Sequence, residues 1–416
     1  MAALVVEGGH RLEGRVDVAG NKNAALPLLA ACLLTEDECV IENVPAIRDV
    51  LAMADLLRGL GAEIEGQGTP VWRVRCREVK GDTPDATLVG RLRGSVLLLA
   101  PLLARRGRAP LGEPGGDFPG RRTIATHAQA LVALGARALP GTPGFETDGL
   151  RAASLYLDEA SVTGTETALM AAAAAEGQSE IRHAACEPHV AELARFLRAM
   201  GAEIEGEGTP TVRVRGTRRL HGARHVLTGD FIEAGSFAVL AGLTGGSIEV
   251  RGAEPRDVEV VAAVLSRMGV RCRIDGATFH AEAGRLVAGR RITTGLWPGF
   301  PSDLISPVTV LATQCEGSTL IHDWLYELRV FALEQLSGMG ADLFLCDPHR
   351  IIVNGPRPLR GRSLDCRDIR SGLSLIGAAL AAEGSSRIAP LETVERGYAR
   401  IEERLRALGA RVSREA

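Results

Sequence analysis

Of the 48 basic residues in this 416-residue chain, only Lys22 and Lys80 are lysine. Lys22 lies in Gly20-Asn21-Lys22-Asn23-Ala24-Ala25-Leu26, where an apolar run begins. An ammonium on a flexible stem is a compact point charge that follows a moving anion and can change its protonation state, which a planar guanidinium does not do. Chance survival in an arginine-rich chain is the plain alternative. Other charged or polar residues stand just before apolar runs in the same way: Arg93, Thr163-Gly164-Thr165-Glu166, Asp230 with Glu233, Ser302-Asp303, and Asp368 with Arg370. If those runs are helices, their N-termini carry partial positive charge and unpaired amides, an address that suits anions. Glu166 and Glu233 need no function there beyond capping and a solvated end. A cation opposes the macrodipole, so Lys22 and Arg93 cost stability unless an anion binds.

The elements that must hold these residues come from a repeat. Leu-Arg-Gly-Leu-Gly61-Ala-Glu-Ile-Glu-Gly-Gln-Gly-Thr-Pro70 returns nearly unchanged as Leu-Arg-Ala-Met-Gly201-Ala-Glu-Ile-Glu-Gly-Glu-Gly-Thr-Pro210. Weaker copies at Gly135, Gly269, Gly340 and Gly409 give successive spacings of 74, 66, 68, 71 and 69 residues. Six units of about seventy residues therefore make up the chain. In each, the glycine ends an amphipathic helix in the left-handed region and a strand follows. Another short strand, such as Cys39 to Glu42 or Ser247 to Arg251, comes just before that helix. Earlier still runs a helix apolar nearly all round, expected at 24–34, 95–104, 167–175, 236–244, 305–313 and 373–381. Such helices are buried. The expectation is an α/β chain with helices inside and sheets outside, its six units divided three and three.

Composition sets the class. With 46% apolar and 24% charged residues, the chain is long enough for two domains with large cores. A net charge of −3 leaves no basic excess for nucleic acid, since 51 acidic residues answer the basic ones. The eight cysteines are scattered without ligand-type spacing, which points to a reducing compartment with neither a disulfide framework nor a metal site. The N-terminus lacks a basic segment followed by an apolar core, and no apolar run is long enough to span a bilayer. The expected place is the cytoplasm.

Gly8-Gly9, Gly20-Asn21-Lys22-Asn23-Ala-Ala-Leu26-Pro, Asn43-Val-Pro-Ala-Ile-Arg-Asp49, Pro114-Gly-Gly-Asp117-Phe-Pro-Gly120-Arg-Arg122, Asp230-Phe-Ile-Glu-Ala-Gly-Ser-Phe237, Phe300-Pro-Ser-Asp303, Asp368-Ile-Arg370 and Arg396-Gly-Tyr398 follow one another along the chain. In order and spacing, these stretches resemble the enolpyruvyl transferases, in particular the branch that acts on UDP-N-acetylglucosamine. The resemblance covers essentially the whole sequence. It implies a two-domain inside-out α/β barrel of six repeats: residues 22–229 with a mobile loop around Asp117, and residues 1–21 plus 230–416, with the active site in the cleft between. The implied reaction moves the enolpyruvyl group of phosphoenolpyruvate to the 3-hydroxyl of UDP-N-acetylglucosamine and releases phosphate, the first committed step toward peptidoglycan. No cofactor or metal is implied, nor any partner beyond these small molecules, and the chain is expected to be a monomer.

The resemblance also assigns residues. Arg122 matches the phosphoenolpyruvate-binding arginine, with Lys22 and Arg396 beside it and Arg329, Asp368 and Arg370 as further cleft residues. Asp303 matches the residue at the sugar hydroxyl, as base or as the group that orients the acceptor. Asn23, Arg93, Thr123, Ile124, Ala125, Thr126 and Leu325 match nucleotide-sugar contacts, and Ser161, Val162, Thr163 and Gly164 match a diphosphate-facing turn. Asp117 stands where most members carry a reactive cysteine, which makes it the candidate general acid and implies resistance to fosfomycin. Asn21 replaces a usually small residue, and Thr123 and Ala125 replace residues that usually hold the uracil. Two alternatives stay open: a non-catalytic nucleotide-sugar-binding paralogue, and the relative that acts on shikimate 3-phosphate.

Overall fold

Six stretches that are apolar nearly all round fold as helices, one in each repeat. They are Lys22–Ala31, Arg93–Leu98 continued by Leu99–Arg106, Val162–Ala173, Phe231–Thr244, Ser302–Leu304 continued by Ile305–Ala312, and Ile369–Ala381. In this computed structural model the described residues are 2–81, 83–115, 123–141, 143–327, 329 and 333–415, with the backbone alone for Ile369 and Arg370. Asp117 and Arg122 lie outside them.

Several of these helices begin earlier than their apolar pattern does, because polar caps start them. Asn21 accepts from the amides of Asn23 and Ala24, Ser161 from that of Gly164, and Asp230 from those of Ile232 and Glu233. Lys22, Thr163 and Glu233 thus sit inside the first turns rather than before them, and Glu166 lies in the second turn of its helix. The unusual Asn21 has a plain task as the cap of its helix.

Each repeat also supplies a sheet. In five of the six, a central strand pairs antiparallel on one side and parallel on the other. Gly177–Arg182 lies antiparallel to Thr211–Gly216 and parallel to Ser154–Tyr156, and Gly317–His322 lies antiparallel to Arg350–Gly355 and parallel to Arg291–Thr293. The sheet of Arg108–Pro110, Gly144–Glu146 and Arg137–Ala138 is three-stranded and wholly antiparallel. In the last repeat the antiparallel neighbour of Ser385–Ala389 is the N-terminal strand Ala3–Glu7, which also pairs with Arg411–Glu415, so the chain's two ends close one sheet. The six repeat glycines, Gly61, Gly135, Gly201, Gly269, Gly340 and Gly409, all have φ between 90° and 108° and terminate their helices as the sequence requires.

The chain divides into two compact units. One holds Met1–Ala19 and Gly229–Ala416, the other the described residues of Gly20–Gly116 and Arg121–Thr228. Within each, three apolar helices are buried, and strands such as Val71–Arg75, Thr211–Gly216 and Ser247–Arg251 alternate buried and more exposed side chains. Among the described residues no helix is long and apolar enough to cross a membrane.

Glu233 is not the solvated helix end expected of it. It is 3% exposed, accepts from the Ala19 amide at 2.8 Å and is paired with Arg404, which also donates to the Asp17 carbonyl and lies over the Phe237 ring. Burial pushes its carboxyl up despite the guanidinium beside it. Removing Arg404 from such a pair leaves an uncompensated buried charge, a change that costs about 3–5 kcal/mol.

Candidate active site

In the unit of Gly20–Gly116 and Arg121–Thr228, Lys22 is the first residue of its helix and Asp49 stands in the first turn of the helix Arg48–Gly59. The Lys22 Nζ meets Asp49 Oδ2 at 2.6 Å, with side chains only 9% and 7% exposed. A carboxylate is favoured at a helix N-terminus, and from there it offsets the ammonium that opposes the other helix's dipole. The expectation that only a bound anion could offset Lys22 is therefore corrected: a side chain of the protein does part of that work. Asp49 stands in a motif of the sequence, but nothing in the one-dimensional pattern places it against residue 22.

A second cluster forms around Arg93, which opens a 3-10 turn and donates from Nη2 to the Thr123 carbonyl at 2.8 Å. The Thr123 hydroxyl accepts from the Ala125 amide, and the Thr126 hydroxyl donates to Glu159 at 3.0 Å. His127, absent from the expected set, is 2% exposed and meets the Thr163 hydroxyl through Nε2 at 2.9 Å. Burial, helped by the Arg93 charge, lowers its pKa to about 4, so it is neutral near pH 7. Arg93 is thereby tied to Thr123, and Thr163 to His127, whose ring feels the Arg93 charge. Gly164 is needed for closeness, because a Cβ there would stand 2.9 Å from the Thr126 methyl. Asn23 and Ile124 belong to the same unit, Asn23 donating its amide to Asn21 and Ile124 preceding the helix Ala125–Ala133.

Glu166 lies deeper in the helix that begins at Val162, and it too departs from the solvated end expected of it: it is 1% exposed, and its Oε1 has no hydrogen-bond partner among the described residues. Burial first, and the Glu187 charge second, push its carboxyl well above the ordinary range. The folded chain keeps this proton where the unfolded chain releases it. The stability so gained is complete below the ordinary glutamate range and is lost as pH rises toward the folded value, with a slope of about 1.4 kcal/mol per pH unit. Glu166→Gln, which cannot ionise, should remove that part of the slope when urea unfolding is followed from pH 5 to 8. An unchanged pH dependence would show that Glu166 is ionised in the folded chain.

In the other unit Arg329 donates from Nη1 to both Asp303 Oδ1, at 2.9 Å, and the Ser302 hydroxyl, at 2.8 Å. Its guanidinium lies 4.4 Å from the Tyr326 ring centroid. Leu325 donates its amide to Asp323. Asp368, at the start of the helix Ile369–Ala381, accepts from the Ser371 amide at 2.9 Å, and Arg396 is half-buried after the short helix Leu391–Val394.

These two sets, cations with a polar turn and a carboxylate clamped by arginine, match the needs of anionic-substrate chemistry, and comparison with known proteins decides the family. A family model described as EPSP synthase (3-phosphoshikimate 1-carboxyvinyltransferase) matches residues 6–405. A UDP-N-acetylglucosamine 1-carboxyvinyltransferase of Bradyrhizobium diazoefficiens is 42% identical over 99% of this chain and 97% of its own length. The chain belongs to the enolpyruvyl transferase family. Another relative of the same description, from Treponema pallidum, is 40% identical over the full length of both chains. Among solved structures, the enolpyruvyl transferase NikO from Streptomyces tendae superposes with a TM-score of 0.89 at 25% identity, covering 99% of this chain and 98% of that one. EPSP synthase from Acinetobacter baumannii, at 21% identity and a TM-score of 0.75 over the full length of both chains, shares the enolpyruvyl transferase fold.

Proposed function

We propose that this chain transfers the enolpyruvyl group of phosphoenolpyruvate to the 3-hydroxyl of UDP-N-acetylglucosamine, releasing phosphate and opening the route to peptidoglycan. Near full-length identity to relatives of that one activity carries the reading. The chemistry balances as addition followed by elimination. A proton is added to the methylene carbon, the sugar oxygen bonds to the neighbouring carbon as its hydroxyl proton leaves, and loss of phosphate with one methyl proton restores the double bond. Asp117 is assigned as the acid and Asp303 as the base or orienter at the hydroxyl. Lys22, Arg122, Arg370 and Arg396 hold the phosphate and carboxylate, the guanidinium forks matching both groups. Asn23, Arg93, Thr123, Ile124, Ala125, Thr126, Leu325 and the turn Ser161, Val162, Thr163 and Gly164 receive the nucleotide sugar, with Arg329 and Asp368 supporting. The buried Lys22 and the arginine-clamped Asp303 support this division of labour. No partner beyond the two small molecules is required.

Phosphate release on mixing the protein with phosphoenolpyruvate and UDP-N-acetylglucosamine tests it, with shikimate 3-phosphate as the comparison acceptor. Release with the nucleotide sugar alone is expected. Release only with shikimate 3-phosphate, or with neither acceptor, would overturn the reading.

A further inference from the structure

We infer that Asp323 is the positioning residue that aims Asp303, acting through Ser302 and Arg329; the inference rests on Asp303 working at the sugar hydroxyl. Asp323 is 1% exposed and forms no ion pair among the described residues. A buried carboxylate without a direct cation is costly unless hydrogen bonds fill its oxygens. Here they do. Oδ1 accepts from the Thr294 hydroxyl at 2.9 Å and the Leu325 amide at 3.2 Å, and Oδ2 accepts from the Ser302 hydroxyl at 2.5 Å. His349 pins the residue's backbone from both sides: its carbonyl accepts from the Asp323 amide at 2.9 Å, and its Nδ1 donates to the Asp323 carbonyl at 2.7 Å.

The direction of the chain of bonds is forced. The single Ser302 hydroxyl hydrogen goes to Asp323 Oδ2. A guanidinium only donates, so Arg329 must meet a lone pair of Ser302. With its hydrogen held by Asp323, that hydroxyl turns a lone pair toward Arg329 Nη1 at 2.8 Å. The other hydrogen of the same nitrogen then reaches Asp303 Oδ1 at 2.9 Å. Without Asp323 the Ser302 hydroxyl is free to rotate its hydrogen toward the guanidinium, and Arg329 loses the seat from which it aims Asp303. Asp323 also fixes Leu325, so one buried group sets two segments assigned to the nucleotide sugar.

The test is steady-state phosphate release by the full chain with phosphoenolpyruvate and UDP-N-acetylglucosamine. A small misplacement of a reacting group costs on the order of a hundredfold, so Asp323→Asn and Ser302→Ala should each lower kcat about 10- to 100-fold. The KM for phosphoenolpyruvate should stay within about twofold, because the loss lies in aim rather than in binding of that substrate. Since both act along one path, the double variant should be less than about threefold worse than the poorer single one. Ser302→Ala leaves one oxygen of Asp323 without this donor and should lower the thermal midpoint by a few degrees while the chain stays folded, so it carries the test if Asp323→Asn fails to fold. Asp303→Asn separates the two levels. Full turnover in that variant would sink the reading of Asp303, whereas a crippled Asp303→Asn beside a Ser302→Ala of normal kcat would overturn the positioning role alone. Fully additive losses in the double variant would also overturn it.

Discussion

Lys22→Arg is expected to leave the chain folded while turnover falls about 10²- to 10³-fold, the loss typical when a preorganised charge is displaced from a developing anion. The ammonium has two tasks. It pairs with Asp49 at 2.6 Å in a place where both side chains are more than nine-tenths buried, and it is assigned to the phosphate and carboxylate of phosphoenolpyruvate. Deleting the charge would confuse these, because Lys22→Met also breaks a buried ion pair, a change that costs about 3–5 kcal/mol. Arginine keeps the charge for Asp49 but spreads it over a rigid plane that cannot take the ammonium's point geometry. Thermal midpoint and kcat measured on the same preparation therefore separate the tasks. A near-normal rate in Lys22→Arg would reduce Lys22 to a structural partner of Asp49. Asp49→Asn is the companion: it removes the pair but keeps the ammonium, so if Lys22 acts on substrate this variant should lose less turnover than Lys22→Arg.

What the sequence could and could not disclose follows from the range of the interactions. The repeat was legible because a helix that ends in a left-handed residue needs glycine, and all six such glycines take that conformation. The buried helices were legible for the same local reason, apolar residues on every face. The apolar signal places their starts too late, because the polar first turns at Lys22 and Val162 interrupt it while Asn21 and Ser161 cap them. Long-range pairs were out of reach. Glu233 finds Arg404 across 171 residues, and Lys22 finds Asp49 on another helix. No periodicity encodes either, so two acidic residues expected in water, Glu166 and Glu233, lie in the core instead. His127 and Asp323 were missed because a lone histidine in an apolar helix or a lone aspartate after a strand reads as ordinary until its partners are known. The residue types of the candidate site were visible; the polar groups hydrogen-bonded to them were not.

The largest effect is expected at Asp117. If it delivers the proton to the methylene carbon, Asp117→Asn should cost about 10²- to 10⁴-fold in turnover, the usual contribution of a positioned acid. An ordinary aspartate, with a pKa of about 3.9, is ionised at neutral pH and has no proton to give. Its value must therefore rise when substrates bind. Arg121 and Arg122, four and five residues on in the sequence, would pull it down if they lie near it, while exclusion of water and the incoming phosphates push it up. Once substrate anions occupy the arginines, the raising influences win, so the acid forms only in the complex. The sign of the pH effect follows: an acid must be protonated to act, so turnover at saturating substrate falls as pH rises through the raised carboxyl value. Asp117→Cys should move that limb toward a thiol value of about 8.5. The same exchange should create sensitivity to fosfomycin, because a thiolate opens the epoxide readily and a carboxylate does so poorly. Mass spectrometry after incubation with the epoxide reads the outcome directly, an adduct on the cysteine variant and none on the native chain. Alkylation of native Asp117 at the rate of the cysteine variant, or full turnover by Asp117→Asn, would remove Asp117 from the proton's path and leave the acid to be sought among the other groups that hold phosphoenolpyruvate.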